Sequence, residues 1–520
     1  MFASRIRNAR PTADEVSSRR WVYVPYDRLN AECGLLHGAT PADTGLVFIE
    51  STAKAARRPY HKKKLALVLA NERHFALEQA ERGFKILYVT TDEPFGDALV
   101  SLGKERRIGR FVTSTPAERE LRQDLRVAPL DYVEDTTWMS TEADFDPLFP
   151  SGGPYRMDRF YRHMRERTGL LVQRGKPLGG KWSHDVENRK AWKGSPRPPT
   201  RPRFVPDALT REVLDLVARR FSTHFGTLDG FDLPVSAADA ETSWAFARTL
   251  LPLFGPYEDA MSVAEPDLFH TKVSALLNLG RLSPARLCTD AAEDHHAGRL
   301  PLPSAEGFIR QILGWREFVR HVHRVTDGFA SLTDGGVLGA TRPLPPAYWG
   351  TPSGLRCLDT VVGEVVTHGF SHHITRLMIL GNLATLAGYD PRQLSDWFWL
   401  AYVDAYDWVV EPNVLGMATY SDGGNMTTKP YVCGAAYIHK MSDYCNGCAL
   451  DPKKSTGAGA CPMTALYWTF LDRHQQTLET NPRMLMPVRS VQKKTAAELK
   501  ALKDVADRTL DLLAQGKKVD

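Results

Sequence analysis

The sequence has no apolar run approaching the roughly 20 residues that a helix needs to cross a membrane. Its seven cysteines are odd in number and unevenly spread along 520 residues, which is not typical of a secreted disulfide framework. Excess charge is also scarce, because the formal net charge is only +5. Any affinity for nucleic acid would therefore come from a local patch. These absences favour a protein of the reducing cytoplasm without membrane contact.

Residues 1–20 contain five arginines but no apolar core. A secretory signal requires such a core, so this segment does not qualify as one. Asp14 and Glu15 interrupt the basic residues and argue against an organelle transit peptide. We predict a disordered tail over residues 1–17.

The first part of the chain alternates between short apolar runs and helical patterns. Residues 21–26, 45–50 and 85–90 are typical of buried strands, and 62–83 is the clearest helix. Alternation of this kind indicates a parallel sheet covered on both faces. The sequence therefore predicts a doubly wound α/β domain over residues 18–140, of the type that holds an antenna in relatives named below.

Strand signals nearly vanish further along the chain. Prolines and glycines over residues 141–206 indicate a linker with one amphipathic helix at 158–171. Residues 207–490 show helical periodicity and predict a large all-α domain. The last segment, 491–520, is lysine-rich and predicts a C-terminal helix. A chain of this length is expected to hold two or three domains.

The stretch that organises these predictions lies at residues 443–468. Cys445 and Cys448 form a C-x2-C pair, and Cys461 follows a glycine-rich loop. Such a pair aims two thiolates at one zinc ion or iron–sulfur cluster. A closed site needs a fourth ligand, and the residues alone leave Cys288, Cys357 and Cys433 as candidates.

Four other stretches carry polar groups that suit a ligand. Thr271 and Ser274 open a predicted helix, whose N-terminus would receive a phosphate; an ordinary capped helix is the alternative. His372 and His373 are adjacent, so on a helix they cannot both bind one ion, whereas one could donate a proton to a pocket. Asp404 lies in an aromatic region and needs a polar partner. The loop at 179–190 mixes basic and aromatic side chains, which suits a nucleic-acid backbone, although a solvated loop is the alternative.

Together these stretches resemble the photolyase/cryptochrome superfamily, and within it the iron–sulfur bacterial cryptochromes and prokaryotic (6-4) photolyases. The resemblance covers residues 20–490. The stretches that carry it are YHKKKLALVLANERHF (60–75), GKWSHDVENR (180–189), EGFIRQILGWREF (306–318), SHHITRLMILGN (371–382), VDAYDWV (403–409), EPNVLGM (411–417), GGNMTTKPY (423–431) and the cysteine stretch.

The resemblance implies FAD in the helical domain, a [4Fe–4S] cluster, and light-driven repair of (6-4) pyrimidine–pyrimidone photoproducts in UV-damaged DNA. We expect a monomer in the cytoplasm that associates with the nucleoid when bound to DNA. The residues to which it assigns roles are Cys357, Cys445, Cys448 and Cys461 for the cluster; His270, Thr271, Ser274, Gln311, Arg316, Asp404 and Asn413 for FAD; His372, His373 and Tyr431 for the lesion; Trp397 and Trp349 for electron transfer; and Lys181, Trp182, Asp185 and Arg189 for DNA, with Mg²⁺ or another divalent ion at Asp185.

The sequence departs from the family at three places. Phe398 replaces the tyrosine that follows the inner tryptophan, and a phenyl ring is far harder to oxidise. Val410 and Glu411 change the segment that lies near flavin N5. The turn at 26–29 and Lys54 differ from the residues that bind a lumazine antenna in relatives, and this reversal of polarity leaves the antenna unassigned.

Two alternatives have the same sequence support in part. A blue-light photoreceptor would use the same cofactors without lesion chemistry, and the departures at Phe398 and in the antenna turn are compatible with it. A DNA-binding module with a structural zinc would use the cysteines alone. Its preparations would be colourless, because zinc does not absorb visible light.

Overall fold

A computed structural model describes residues 1–520. Five strands form a single sheet near the start of the chain: β1 Arg20–Tyr23, β2 Thr44–Ser51, β3 Lys85–Thr91, β4 Phe111–Ser114 and β5 Leu130–Val133. The strand order is β3-β2-β1-β4-β5 and every pairing is parallel. All eight residues of β2 are buried, as a strand covered on both faces requires. The predicted doubly wound sheet is therefore confirmed.

Eight helices accompany the sheet or follow it directly: α1 Phe2–Arg7, α2 Ala13–Ser18, α3 Thr52–Ala56, α4 Lys62–Glu81, α5 Phe95–Arg106, α6 Arg119–Asp124, α7 Glu142–Phe145 and α8 Met157–Thr168. A short antiparallel hairpin, β6 Val172–Gln173 with β7 Lys176–Pro177, comes next. The predicted disordered tail is wrong, because residues 2–7 and 13–18 are helical. Phe2 is buried and its ring packs edge-on against Tyr88, with 4.5 Å between centroids.

The rest of the chain is helical, as predicted. Its α-helices are α9 Ala208–Arg220, α10 Ala237–Phe254, α11 Ser274–Asn278, α12 Pro284–His296, α13 Leu302–Ile309, α14 Glu317–Thr326, α15 Arg356–His368, α16 His373–Thr375, α17 Asn382–Ala387, α18 Pro391–Ala401, α19 Asp407–Glu411, α20 Ala435–Met441, α21 Pro462–Arg473, α22 Gln475–Leu478, α23 Leu485–Gln492 and α24 Ala496–Ala514. No helix in the structure is both long and apolar enough to span a membrane.

Three segments of this region are π-helical: Arg310–Arg316, Arg376–Gly381 and Pro412–Ala418. Each continues directly from an α-helix, so the chain keeps its direction while one turn widens. Wide turns of this kind occur frequently at functional sites. The first carries Gln311 and Arg316, and the third carries Asn413, all three of which the resemblance assigns to FAD.

Some helix boundaries differ from those predicted. The helix predicted over 391–408 ends at Ala401, because the chain turns through residues 402–406 before α19 begins. The helix predicted over 267–280 is reduced to α11, so Thr271 precedes it and does not cap it. Ser371 was expected to cap the helix of the paired histidines. Its hydroxyl instead hydrogen-bonds the Tyr402 hydroxyl at 2.9 Å, and His372 takes the cap position.

Candidate functional site

Four cysteines from three separate stretches line one small cavity. Cys357 lies in the first turn of α15, Cys445 and Cys448 follow α20, and Cys461 immediately precedes α21. The remaining wall is apolar and includes Leu355, Ile438, Tyr444, Leu450 and Met463. Neither Cys288, which is buried in α12, nor Cys433 lines this cavity. The folded chain thus brings Cys357 to the cysteine triple.

The spacing of the cysteine sulfurs bears on what they can hold. A single zinc ion bound at about 2.3 Å draws its sulfur ligands to within about 4 Å of one another. The one set of three His, Cys, Asp or Glu side chains whose ligand atoms lie within 4.8 Å of one another is His270, His372 and His373. No three cysteine sulfurs come that close, so the cavity suits a multi-iron cluster better than a single ion.

The three histidines form a second cluster, at the start of α16. The rings of His270 and His372 are stacked, with centroids 4.1 Å apart and planes 9° apart. His373 meets His270 edge-on at 5.3 Å and is reached by solvent. Neither ring nitrogen of His372, nor Nε2 of His270, has a hydrogen-bond partner in the chain. Buried polar atoms normally have partners, so these nitrogens are suited to a ligand.

Stacking makes the cluster a poor metal site. The lone pair of an imidazole nitrogen lies in the ring plane, so two parallel rings cannot both aim at one ion between them. Burial also lowers the pKa of His372 to about 3, and burial with nearby Arg376 lowers the pKa of His373 to about 4. The imidazoles are thus neutral at pH 7 and suited to hydrogen bonding and proton transfer.

Asp404 has the polar partner that its apolar surroundings require. Its carboxylate accepts two hydrogen bonds from Arg376, at 3.1 and 3.0 Å, and one from the Ser274 hydroxyl at 2.7 Å. Burial pushes the pKa of this carboxyl upward, but Arg376 and Ser274 outweigh burial and hold the pKa below its usual value. Arg376 was missed by the sequence analysis. Its signal was a single charge within the apolar run ITRLMIL, three residues after His373.

The other predicted FAD residues lie nearby and are engaged within the chain. Gln311 donates to the Glu258 carboxylate at 2.6 Å. Arg316 lies over the Trp138 ring at 4.0 Å from its centroid and donates to Glu317 at 3.1 Å. The Asn413 amide donates to a carbonyl of its own helix, at residue 409.

Glu258 was also missed, because nothing in its local sequence marks it. It is buried between α10 and the loop at 179–190, where the Asn188 amide lies 3.5 Å from it. Burial raises the pKa of its carboxyl to about 7. A carboxylic acid that is half protonated at neutral pH therefore lies beside Gln311.

The loop at 179–190 lies against α13 and the first π-helical segment. Asp185 pairs with Arg189 and, at 3.1 Å, with Arg310. Trp182 contacts Arg162 and Arg165, which lie over its ring. The Lys181 ammonium lies 3.5 Å from Glu187. Two arginines already neutralise Asp185, and it belongs to no set of three converging ligands, so the chain offers a divalent ion only one carboxylate here.

Trp397 is fully buried and its indole N–H donates to the Tyr348 carbonyl at 2.9 Å. Its ring lies 5.1 Å from Phe398 and 5.3 Å from Tyr348 between centroids. Trp349, the next residue after Tyr348, is 47% exposed. The two predicted electron-transfer tryptophans are thus joined through Tyr348. Tyr431 is half-buried, near Asp185 and Arg189.

A further cavity of about 550 Å³ lies at the carboxyl edge of the sheet, lined by residues from both regions of the chain, among them Tyr26, Lys54, Glu72 and Tyr406. Lys54 pairs with Glu118 and with Glu120, and the Tyr26 hydroxyl also binds Glu118. The groups that relatives would offer to a lumazine are therefore changed and occupied within the chain. These residues do not fit a lumazine held in the family manner.

Comparisons with known proteins agree with this geometry. The family model for deoxyribodipyrimidine photo-lyase-related protein matches residues 22–233. A (6-4) photolyase from Agrobacterium fabrum is 36% identical over 473 residues, covering 89% of this chain and 93% of that protein. The chain belongs to the photolyase/cryptochrome superfamily. The predicted family is therefore confirmed.

Two solved structures of this superfamily share the fold. A bacterial class III photolyase from Agrobacterium tumefaciens superimposes with a TM-score of 0.55 at 15% identity, covering 96% of this chain and 98% of that one. A cryptochrome from Synechocystis gives a TM-score of 0.54 at 14% identity, covering 96% and 99%. At these identities the likeness concerns the fold alone, and it confirms the predicted photolyase-type architecture.

Proposed function

We propose that this protein uses light and FAD to repair (6-4) photoproducts in UV-damaged DNA. The observation that carries the proposal is the cluster of His270, His372 and His373, whose one exposed ring faces solvent, in a chain 36% identical to a (6-4) photolyase over most of its length. A lesion that must be flipped out of the helix needs a recess with unpaired polar groups at its mouth. The histidine nitrogens supply these groups.

The residues present fit a bound flavin. Asp404 and Arg376 form a buried ion pair, and unpartnered nitrogens of His270 and His372 lie close to Arg376. When bound, FAD supplies the light absorption and the transferable electron, and the protein supplies position and electrostatics. Asp404, Arg376, Ser274 and Gln311 would hold the cofactor.

His373 would handle the proton. Its ring is the member of the cluster that solvent reaches, so a lesion in the recess would meet it first. A ring nitrogen of His373 would donate a proton to the group that migrates during repair and receive it back afterwards. His372, stacked on His270, would hold the neighbouring ring in place, and Tyr431 would shape the opposite wall.

Cys357, Cys445, Cys448 and Cys461 would hold a [4Fe–4S] cluster. Support comes from their common cavity and from sulfurs spread too widely for one ion. Because the ligands come from three distant stretches, we propose that the cluster ties the C-terminal third together. Lys181, Trp182 and Arg189 would contact the DNA backbone, with Asp185 as the one carboxylate available to Mg²⁺.

A defined oligonucleotide with one (6-4) photoproduct tests the proposal. Purified protein should restore normal thymines under blue or near-UV light and leave the lesion unchanged in the dark. A yellow-brown preparation that binds DNA but restores no thymines would favour a photoreceptor instead. A colourless, iron-free preparation that is properly folded would exclude both.

A further inference from the structure

Lys63 lies in the first turn of α4 and is 2% exposed. Its ammonium makes no hydrogen bond or ion pair, since the nearest carboxylates, Asp232 and Asp229, act on it only at longer range. Burial lowers the pKa of this lysine for the same reason. A buried cation without a partner is costly, and it usually marks a place where a ligand supplies the missing charge.

This ammonium lines a cavity of about 550 Å³ between α4 and the flavin region. Lys272, Ser274 and His368 line the same cavity, and Asp232 is the one acidic residue in its wall. Lys272 pairs with Asp267 at 2.8 Å, outside that wall. With Lys63 and Lys272 against one carboxylate, the cavity carries a surplus of positive charge and suits an anion.

The backbone beside the cavity is also unusual. Lys272 has φ +56°, in the left-handed region that non-glycine residues rarely occupy. Strain of this kind persists only where the surroundings impose it, and it concentrates at ligand-binding segments. Here it directs the Lys272 side chain towards the same cavity as Lys63.

We propose that Lys63 and Lys272 bind the diphosphate of the flavin, so that α4 of the α/β region forms one wall of the cofactor site. The inference rests on the proposed function for the identity of the anion. Its consequence is that the cofactor joins the two regions of the chain: the diphosphate is held by Lys63 from one and by Lys272 and Ser274 from the other.

The first test follows flavin release from the loaded protein. Lys63→Met should release flavin faster than the wild type, by on the order of tenfold, the weight of one charged hydrogen bond. Lys62→Met is the matched control, because Lys62 is its neighbour on α4 and does not line the cavity; it should leave release unchanged. Equal release from the Lys63→Met variant and the wild type, at low and high salt, would overturn the inference.

A second test separates binding from a structural role. In flavin-free protein, Lys63→Met removes an uncompensated buried charge, so its melting temperature should rise, while that of the flavin-loaded protein should fall relative to the wild type. A structural lysine would lower both. If flavin-free Lys63→Met also melts lower, Lys63 supports the fold and the inference is wrong.

Inorganic pyrophosphate and ADP distinguish this inference from the proposed function. Either should raise the melting temperature of flavin-free wild type and leave flavin-free Lys63→Met unchanged. A wild type that never holds flavin, yet is stabilised by pyrophosphate through Lys63, would refute the flavin proposal and keep the anion site. A wild type that holds flavin but does not respond to either anion would overturn the anion site alone.

Discussion

The imidazole rings of His270 and His372 lie parallel, 4.1 Å apart, in a part of the chain where neither ring can be charged cheaply. His373 meets the first of them edge-on. A proton placed on one ring would be felt by the other two. Such a cluster can hold one extra proton when an anionic ligand favours it, and none when the site is empty.

The stacked histidines should make stability fall in mild acid. The pKa of His372 in the fold is about 3 and that of His373 about 4, below the ordinary value of about 6.5 in an unfolded chain. The unfolded chain therefore binds more protons as the pH falls below about 6.5, and each such histidine costs up to about 1.4 kcal/mol per pH unit. Above that pH these groups have no effect.

Urea unfolding of the protein from about pH 7 to about pH 5 checks this expectation. His372→Asn should lose stability less steeply with falling pH than the wild type does. The charged groups that act on His372 are His373, Asp267, Arg376 and Lys272, and they are unchanged in this variant. Identical slopes for the two proteins would show that His372 titrates normally in the fold.

Repair itself should depend on His373. His373→Ala should reduce light-driven repair by about 10²–10⁴-fold, the usual contribution of a positioned acid, while flavin absorbance and DNA affinity remain. His439→Ala, a solvent-exposed histidine on α20, is the matched control and should repair at the wild-type rate. Full repair by His373→Ala would remove this residue from the mechanism.

The sequence predicted the elements whose pattern is local and strong. The buried strands at 21–26, 45–50 and 85–90 are apolar throughout, so their parallel sheet followed directly. The cysteine spacing identified three ligand candidates, but only the folded chain shows Cys357 beside them.

What escaped prediction depends on contacts distant in sequence. Lys63 and Arg376 look like ordinary helix residues until their surroundings are seen. Ser371 reads as a helix cap, yet Tyr402, 31 residues away, takes its hydroxyl. The tail at 1–17 lacks an apolar core of its own, but Phe2 finds one against Tyr88 and Arg73 of the sheet region.

Loss of one cluster ligand should affect iron and folding together. Cys445→Ala should lower the iron content and destabilise the C-terminal helices, because α15, α20 and α21 would lose their common anchor. Cys433→Ala is the control, since Cys433 lies outside the cavity. Iron analysis with circular dichroism during heating makes the measurement. A stable, flavin-loaded Cys445→Ala protein would argue against the clamp.

Electron supply to Trp397 should pass through Tyr348. The phenyl ring of Phe398 cannot be oxidised readily, whereas Tyr348 contacts Trp397 and precedes the exposed Trp349. The Tyr348 hydroxyl donates to the Leu380 carbonyl at 2.7 Å, and a carbonyl cannot take its proton. We therefore expect this ring to bridge the two tryptophans without itself being oxidised.

The two roles of Tyr348 predict different variants. If the ring only bridges, Tyr348→Phe should photoreduce bound flavin at nearly the wild-type rate and Tyr348→Leu should be several-fold slower. If the phenol were oxidised, both variants would be slow. Phe398→Tyr should be faster than the wild type, because it offers a second oxidisable ring 5.1 Å from Trp397. The measurement is the decay of oxidised-flavin absorbance under blue light with excess thiol, at matched flavin content. A Tyr348→Leu protein as fast as the wild type would place the path elsewhere.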